Sequence, residues 1–149
     1  MIYYFLESSA FAKLFVFEQG SEPLIRMLQQ VDDSRKLVSS LASLEVRSAI
    51  RRRERAGEIL PPHAGEALDA LGAECMRIVE QPVLPAVIEA ARVILDGRSL
   101  RALDALHLAT CVVLRDALPA SDICFVSSDD ALLKAAKAER FPVLNPMNL

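Results

Sequence analysis

The chain has no tryptophan, two histidines, three cysteines and five glycines among its 149 residues. Each scarcity removes a class of chemistry. Cys75, Cys111 and Cys124 are odd in number, far apart and without a C-x-x-C pair, so they read as reduced core residues of a cytoplasmic protein. With only His63 and His107 available, and no Cys/His ligand spacing, a thiolate or imidazole metal centre is not expected. No G-x-x-x-x-G-K-[ST] loop occurs, which disfavours a phosphate-loop NTPase. No apolar run approaches the roughly 20 residues of a membrane span. The N-terminal MIYYFLE carries a charge too early, and lacks the basic leader, for a signal peptide. A net charge of −3 argues against a purely electrostatic nucleic-acid binder. It leaves room for a nuclease whose carboxylates keep the site acidic until a metal binds.

What the chain does have is a hydrophobic content of 52%. Its length fits a single domain over residues 1–149, able to bury roughly 70% of its unfolded surface without disulfide or metal staples. Short apolar runs alternate with helical patterns. Strands are expected at Ile2–Leu6, Lys36–Ser39, Arg77–Glu80, Ile123–Ser127 and around Val143. Helices are expected over Ser8–Phe17, from Ser21 to about Gln30, from the cap Ser40 to about Ala56, and from Pro61 to about Glu74. Three more are expected over Pro85–Asp96, over Leu100–Ala117 capped by Ser99, and from Asp129 to about Arg140. Gly57 and Gly97 are placed as helix stops. This alternation predicts an α/β fold with a parallel sheet between helices, and in open sheets of that kind ligands bind beyond the carboxyl ends of the strands.

Four acids sit on or just after apolar segments: Glu7 in YYFLESSAF, Glu45 in SSLASLEVRSAI, Asp104 in LRALDALHLAT and Asp129 in CFVSSDDALL. A charge beside a core must be paired or hold a cation, because burying it alone is very costly. Glu7, Glu45 and Asp129 fall at one edge of the expected sheet by topology, and Asp104 joins them if its helix packs over that edge. Each also has a plainer reading. Glu7 can be a helix-start carboxylate, Glu45 a solvated acid, and Asp129 or Asp130 a simple N-cap. Asp104 is read as a mid-helix aspartate of poor propensity, which makes it the hardest to explain locally. Carboxylates in such a group suit Mg²⁺ or Mn²⁺.

The segments ESSA-x-x-K-L, SLASLE-x-x-x-A, LRALDALHLAT and FVSSD-x-x-L-x-x-A, in this order and across essentially the whole chain, resemble the PIN-domain family. The likeness is to its VapC-type toxins of toxin–antitoxin pairs. The resemblance implies a three-layer α/β/α sandwich around a central parallel sheet and a Mg²⁺- or Mn²⁺-dependent endoribonuclease. The family's four acids fall on Glu7, Glu45, Asp104 and Asp129, with Glu7, Asp104 and Asp129 as metal ligands and Ser9 and Ser127 in support. A metal-activated water would attack the phosphorus in line, with no histidine base. The implied partners are an RNA substrate, a second copy in a homodimer, and an antitoxin lying across the active-site groove. One departure stands out: the family's usual first aspartate is Glu7 here. A second reading is therefore a weakened or inactive scaffold that binds an antitoxin or RNA without cutting.

Three further features have competing readings. Arg47, Arg51, Arg52, Arg53 and Arg55 crowd one helix end, either to meet RNA phosphates or an acidic antitoxin segment, or as a solvated face. His107, one turn after Asp104, is expected to be a satisfied, partly buried histidine or a partner of that acid. A serine hydrolase using Ser8 or Ser9 with His107 is disfavoured because no G-x-S-x-G elbow occurs. The Phe11, Leu14, Phe15 stripe with Phe17 nearby is expected in the core or at an oligomer contact.

Overall fold

Strand residues alternate between two apolar sets, so both faces of the sheet need covering. In the computed structural model, which describes residues 1–149, the strands are β1 (Ile2–Leu6), β2 (Lys36–Ser39), β3 (Val79–Gln81), β4 (Asp122–Val126) and β5 (Val143–Leu144). All pairings are parallel, in the order β3-β2-β1-β4-β5. The helices are α1 (Ser8–Ala12), α2 (Ser21–Leu28), α3 (Ser40–Arg55), α4 (Pro61–Cys75), α5 (Pro85–Gly97), α6 (Ala102–Ala117) and α7 (Asp130–Ala138).

Phe5, Leu37, Ile123 and Phe125 belong to one buried cluster, with Val87 and Ile94 of α5, Leu108 of α6 and Leu132 of α7. The intervening strand residues Leu6, Val38, Cys124 and Val126 belong to the opposite cluster, with Phe11 of α1, Leu24 of α2, Val46 of α3 and Leu68 of α4. The result is the expected three-layer α/β/α sandwich. Phe5 and Phe125 stack across β1 and β4 with ring centroids 5.7 Å apart, tying the two central strands together beneath the carboxyl edge. From β1 the chain passes into α1, on the second cluster's face; from β4 it passes into α7, on the first. The topological switch point therefore lies between β1 and β4, where such sheets open a crevice.

Several element boundaries differ from expectation. The helix expected over Ser8–Phe17 stops at Ala12. Beyond it the backbone tightens into i→i+3 bonds, Lys13 N to Ala10 O and Leu14 N to Phe11 O, and the Lys13 ammonium turns to Glu18 at 2.9 Å. Phe17 is left exposed, while Phe11 is buried and meets Phe15 edge to face. Ser39 rather than Ser40 caps α3. The strand expected over Arg77–Glu80 lies at Val79–Gln81, in register with Leu37–Ser39. Ser99 does not cap α6, which begins at Ala102 after Arg101; this moves Asp104 from mid-helix to the first turn. All three cysteines are free, Cys111 and Cys124 buried and Cys75 partly so. No helix is long and apolar enough to cross a membrane.

Gly20 starts α2 in the left-handed region, φ +88°, and a Cβ there would stand 3.1 Å from the Pro146 carbonyl. Gly20→Ala is thus strained both by backbone and by contact. It is expected to destabilise the protein by about 1–2 kcal/mol, seen as a lower urea midpoint at unchanged m.

Candidate active site

Glu7, Glu45, Asp104 and Asp129 line one open cavity of ≈ 480 Å³ at the carboxyl edge of the sheet, together with Ser8, Ser9, Arg52 and Arg101. Asp130 does not belong to it. That acid lines a separate hollow with Lys134 and Lys137, so the two neighbours in the Asp-Asp pair are told apart by the direction of α7.

Glu7 follows directly on β1, and its amide continues the ladder by donating to the Val126 carbonyl at 3.0 Å. Its side chain caps α1: Oε2 accepts from the Ser9 amide at 3.1 Å and the Ser9 hydroxyl at 2.5 Å. The same oxygen accepts from the Ser127 hydroxyl at 2.8 Å. Ser127 in turn accepts from the Asp129 amide at 3.1 Å, and Ser9 from the Ser128 amide at 3.0 Å. The loops after β1 and β4 are thereby stitched together across the switch point. Asp129 caps α7, accepting from the Leu132 amide at 3.0 Å. The plain capping readings of Glu7 and Asp129 are thus correct, and the same residues still border the cavity.

Glu45 reaches the cavity from α3. Its Oε1 accepts from the Ser8 hydroxyl at 2.9 Å and meets His107 Nε2 at 2.5 Å. Burial pushes the Glu45 carboxyl up, but the hydrogen bond and charge of His107, with the Ser8 hydrogen bond, outweigh it and leave the pKa lowered. His107 differs from expectation in two ways. It is fully buried rather than partly so, and its partner is Glu45 rather than Asp104. Nor is it satisfied, since its Nδ1 is a buried atom with no partner. The link to Glu45 could not be read from spacing, because the two residues are 62 apart and on different elements.

This arrangement also disposes of a serine hydrolase. Ser8 Oγ lies 3.1 Å from His107 Nε2, but the acid sits on that same nitrogen. A triad needs the acid on the far nitrogen to orient the imidazole, and here the far nitrogen is bare.

Asp104, in the first turn of α6, is only weakly paired: Arg101 Nε stands 3.7 Å away and the arginine is 89% exposed. Burial, then repulsion from Asp129, raises the Asp104 carboxyl, with Glu45 adding to the rise and Arg101 and His107 opposing it. The donors are all carboxylates, the hard oxygen ligands that Mg²⁺ and Mn²⁺ prefer. No three of the His, Cys, Asp and Glu side chains form a ready-made cage. The fit to a divalent cation rests on the donor chemistry and on the crowding of negative charge at Asp104.

On α3, Glu45, Ser48, Ala49 and Arg52 share the face that lines the cavity. Arg51 is taken up by Glu54 at 2.9 Å and Arg53 by Glu18 at 2.6 Å. Arg52, between these two paired arginines, is the one arginine of the arginine-rich end that lines the cavity, with Arg101 also in its lining.

A raised carboxyl means that folded protein holds the Asp104 proton more tightly than unfolded chain does. Stability then falls as pH rises past the unfolded value of about 3.9. In EDTA at neutral pH, Asp104→Asn is expected to melt at a higher temperature than the parent, and the gap should close as pH falls towards about 4. A lower melting temperature for the variant would contradict the crowding.

No family model matches the chain. It is 31% identical over 146 residues to Ribonuclease VapC35 of Mycobacterium tuberculosis, in two strains, with 98% of this chain and 97% of that protein covered. FitAcB from Neisseria gonorrhoeae has the same fold, with a TM-score of 0.66, 17% identity and full coverage of both chains. So does VapC20 of M. tuberculosis, a sarcin-ricin loop cleaving toxin, with a TM-score of 0.66, 18% identity and coverage of 93% of this chain and 95% of that one. At 17% and 18% identity these two structures speak to the fold alone. The end-to-end identity with VapC35 carries more, and with it the chain belongs to the VapC family of PIN-domain toxins.

Proposed function

We propose that this protein is a Mg²⁺- or Mn²⁺-dependent endoribonuclease, the toxin of a toxin–antitoxin pair. The observation that carries the reading is the meeting of four acids, from segments scattered over the chain, in one cavity at the switch point of the sheet. Membership of a family that includes a ribonuclease supports it.

In this reading Glu7, Asp104 and Asp129 hold the cation directly and Glu45 holds it through a bound water, so that all four acids contribute to its affinity. When bound, such an ion lowers the pKa of water and offsets charge on the phosphodiester. Ser9 and Ser127 fix Glu7 through Oε2 and leave its other oxygen without a hydrogen bond, available at the cavity. Glu45, held ionised by His107 and Ser8, orients the attacking water towards the phosphorus. Attack in line forms one P–O bond and breaks another, with no histidine base. Arg52 and Arg101, which line the same cavity, meet backbone phosphates of the bound strand. The family resemblance adds a homodimer and a cognate antitoxin lying across the same cleft; FitAB, which shares the fold at a TM-score of 0.64 and 18% identity, is known bound to an IR36 DNA fragment.

The competing reading, a scaffold that binds without cutting, draws on the commitment of Glu7 Oε2 to three hydrogen bonds. Aspartate in its place is one methylene shorter, which draws the carboxylate back from Ser127 and from the cavity that Glu7 lines. Glu7→Asp is therefore expected to lower cleavage of a cellular RNA pool, whereas a large gain would mark Glu7 as an attenuating residue.

Discrete cuts in that pool with Mg²⁺ or Mn²⁺, absent in EDTA, are the expected result for the antitoxin-free protein. Asp104→Asn should reduce them beyond the roughly 10–100-fold typical of residues that act on a metal only through its ligands. Unchanged cleavage by that variant would sink the assignment. The double variant Arg52→Ala, Arg101→Ala should raise KM more than it lowers kcat. It should also flatten the log–log salt dependence of binding by about 0.7 for each phosphate that is no longer neutralised.

A further inference from the structure

We infer that His107 is a positioning residue that pins Glu45 from behind, so that Glu45 faces the cavity with a single carboxylate oxygen. The inference deepens the nuclease reading and rests on it. A carboxylate can only accept, so His107 Nε2 must donate to Glu45 Oε1, at 2.5 Å. Ser8 donates to the same oxygen at 2.9 Å. No lysine or arginine bonds to Glu45, so these two donors alone set its rotamer. The other oxygen, Oε2, carries no hydrogen bond from the protein, on a residue that lines the cavity.

The imidazole is not explained by packing. It is 0% exposed, with its ring centroid 6.3 Å from that of Phe5 on one side and the Ser8 hydroxyl and Glu45 carboxylate at Nε2 on the other. Its Nδ1 is the lone buried side-chain polar atom without a partner in the molecule. A buried polar atom left unpaired costs stability, and the contact with Glu45 is what the side chain gives in return. The spacing on α6 then has a reason. Residues three apart share a helix face, so α6 delivers Asp104 to the cavity directly and grips Glu45 of α3 through His107.

Two measurements test this on the full chain. Long-range ¹H–¹⁵N NMR of the histidine side chains in the parent protein should find the His107 proton on Nε2; a proton on Nδ1 with Nε2 bare would overturn the inference, whatever the activity. Mn²⁺ binding, followed by the loss of the free-ion EPR signal, should weaken about 10–100-fold in His107→Leu. His107→Gln, whose amide nitrogen reaches the place of Nε2, should restore most of it. The leucine variant is expected to melt below the parent, because it leaves the half-buried Glu45 carboxylate with Ser8 as its one donor. Parent-like Mn²⁺ affinity in His107→Leu would overturn the inference, as would glutamine failing to rescue in a folded protein. If the leucine variant does not fold, the glutamine comparison and the NMR result decide. A parent protein that binds no Mn²⁺ would instead sink the metal-dependent reading, leaving the NMR result to judge the pinning of Glu45.

Discussion

One oxygen of Glu7 accepts from the Ser9 amide, the Ser9 hydroxyl and the Ser127 hydroxyl, and this is where the two halves of the sheet are locked at their carboxyl edge. The strands beneath are joined by the β1–β4 ladder and by the stack of Phe5 on Phe125. Above them, two loops that come from opposite ends of the chain have only polar groups to hold each other. A nearly buried carboxylate needs donors, and the two serines supply them while they also bind the amides of Ser128 and Asp129. The start of α7, and with it the place of Asp129, follows from that lock.

The remaining acids are treated unequally. Glu45 is compensated by a histidine and a serine, and its carboxyl is lowered despite burial. Asp104 has one distant arginine and is raised by burial and by Asp129. Charge is thus tolerated at three corners of the cavity through capping, ladder and buried hydrogen bonds, and left uncompensated at the fourth. Under the metal-dependent reading proposed above, that fourth corner is where a cation would offset the charge, and without one the crowding costs the protein stability.

The cationic side chains divide in a similar way. Lys13 and Arg53 both bind Glu18, which ties the turn after α1 to α3. Burial pushes the Glu18 carboxyl up, but the hydrogen bonds and charges of these two cations lower it overall. The pairing therefore stabilises the fold above the unfolded carboxylate range and is lost as pH falls through the lowered value. Arg52, one residue before Arg53, points along the adjacent face to the cavity. One helix end thus serves both structure and site, because successive residues on a helix are turned by about 100°.

The sequence by itself determined the strands, their parallel arrangement and the edge at which the acids gather. The short run IYYFL, and LV within KLVS, each followed by a helical pattern, read as strands of a parallel sheet, and an acid following such a strand lies at its carboxyl end. Glu7, Glu45 and Asp129 were legible for that reason. Where helices begin was not, because capping depends on contacts beyond the local segment: Leu100 packs on the core, α6 starts at Ala102, and Asp104 becomes a first-turn residue. The tertiary structure also decided the separation of Asp129 from Asp130, the release of Arg52 from its paired neighbours, and the bond from His107 to Glu45. Each depends on the direction in which a side chain leaves one element to meet another, and periodicity along a single element carries no information about that.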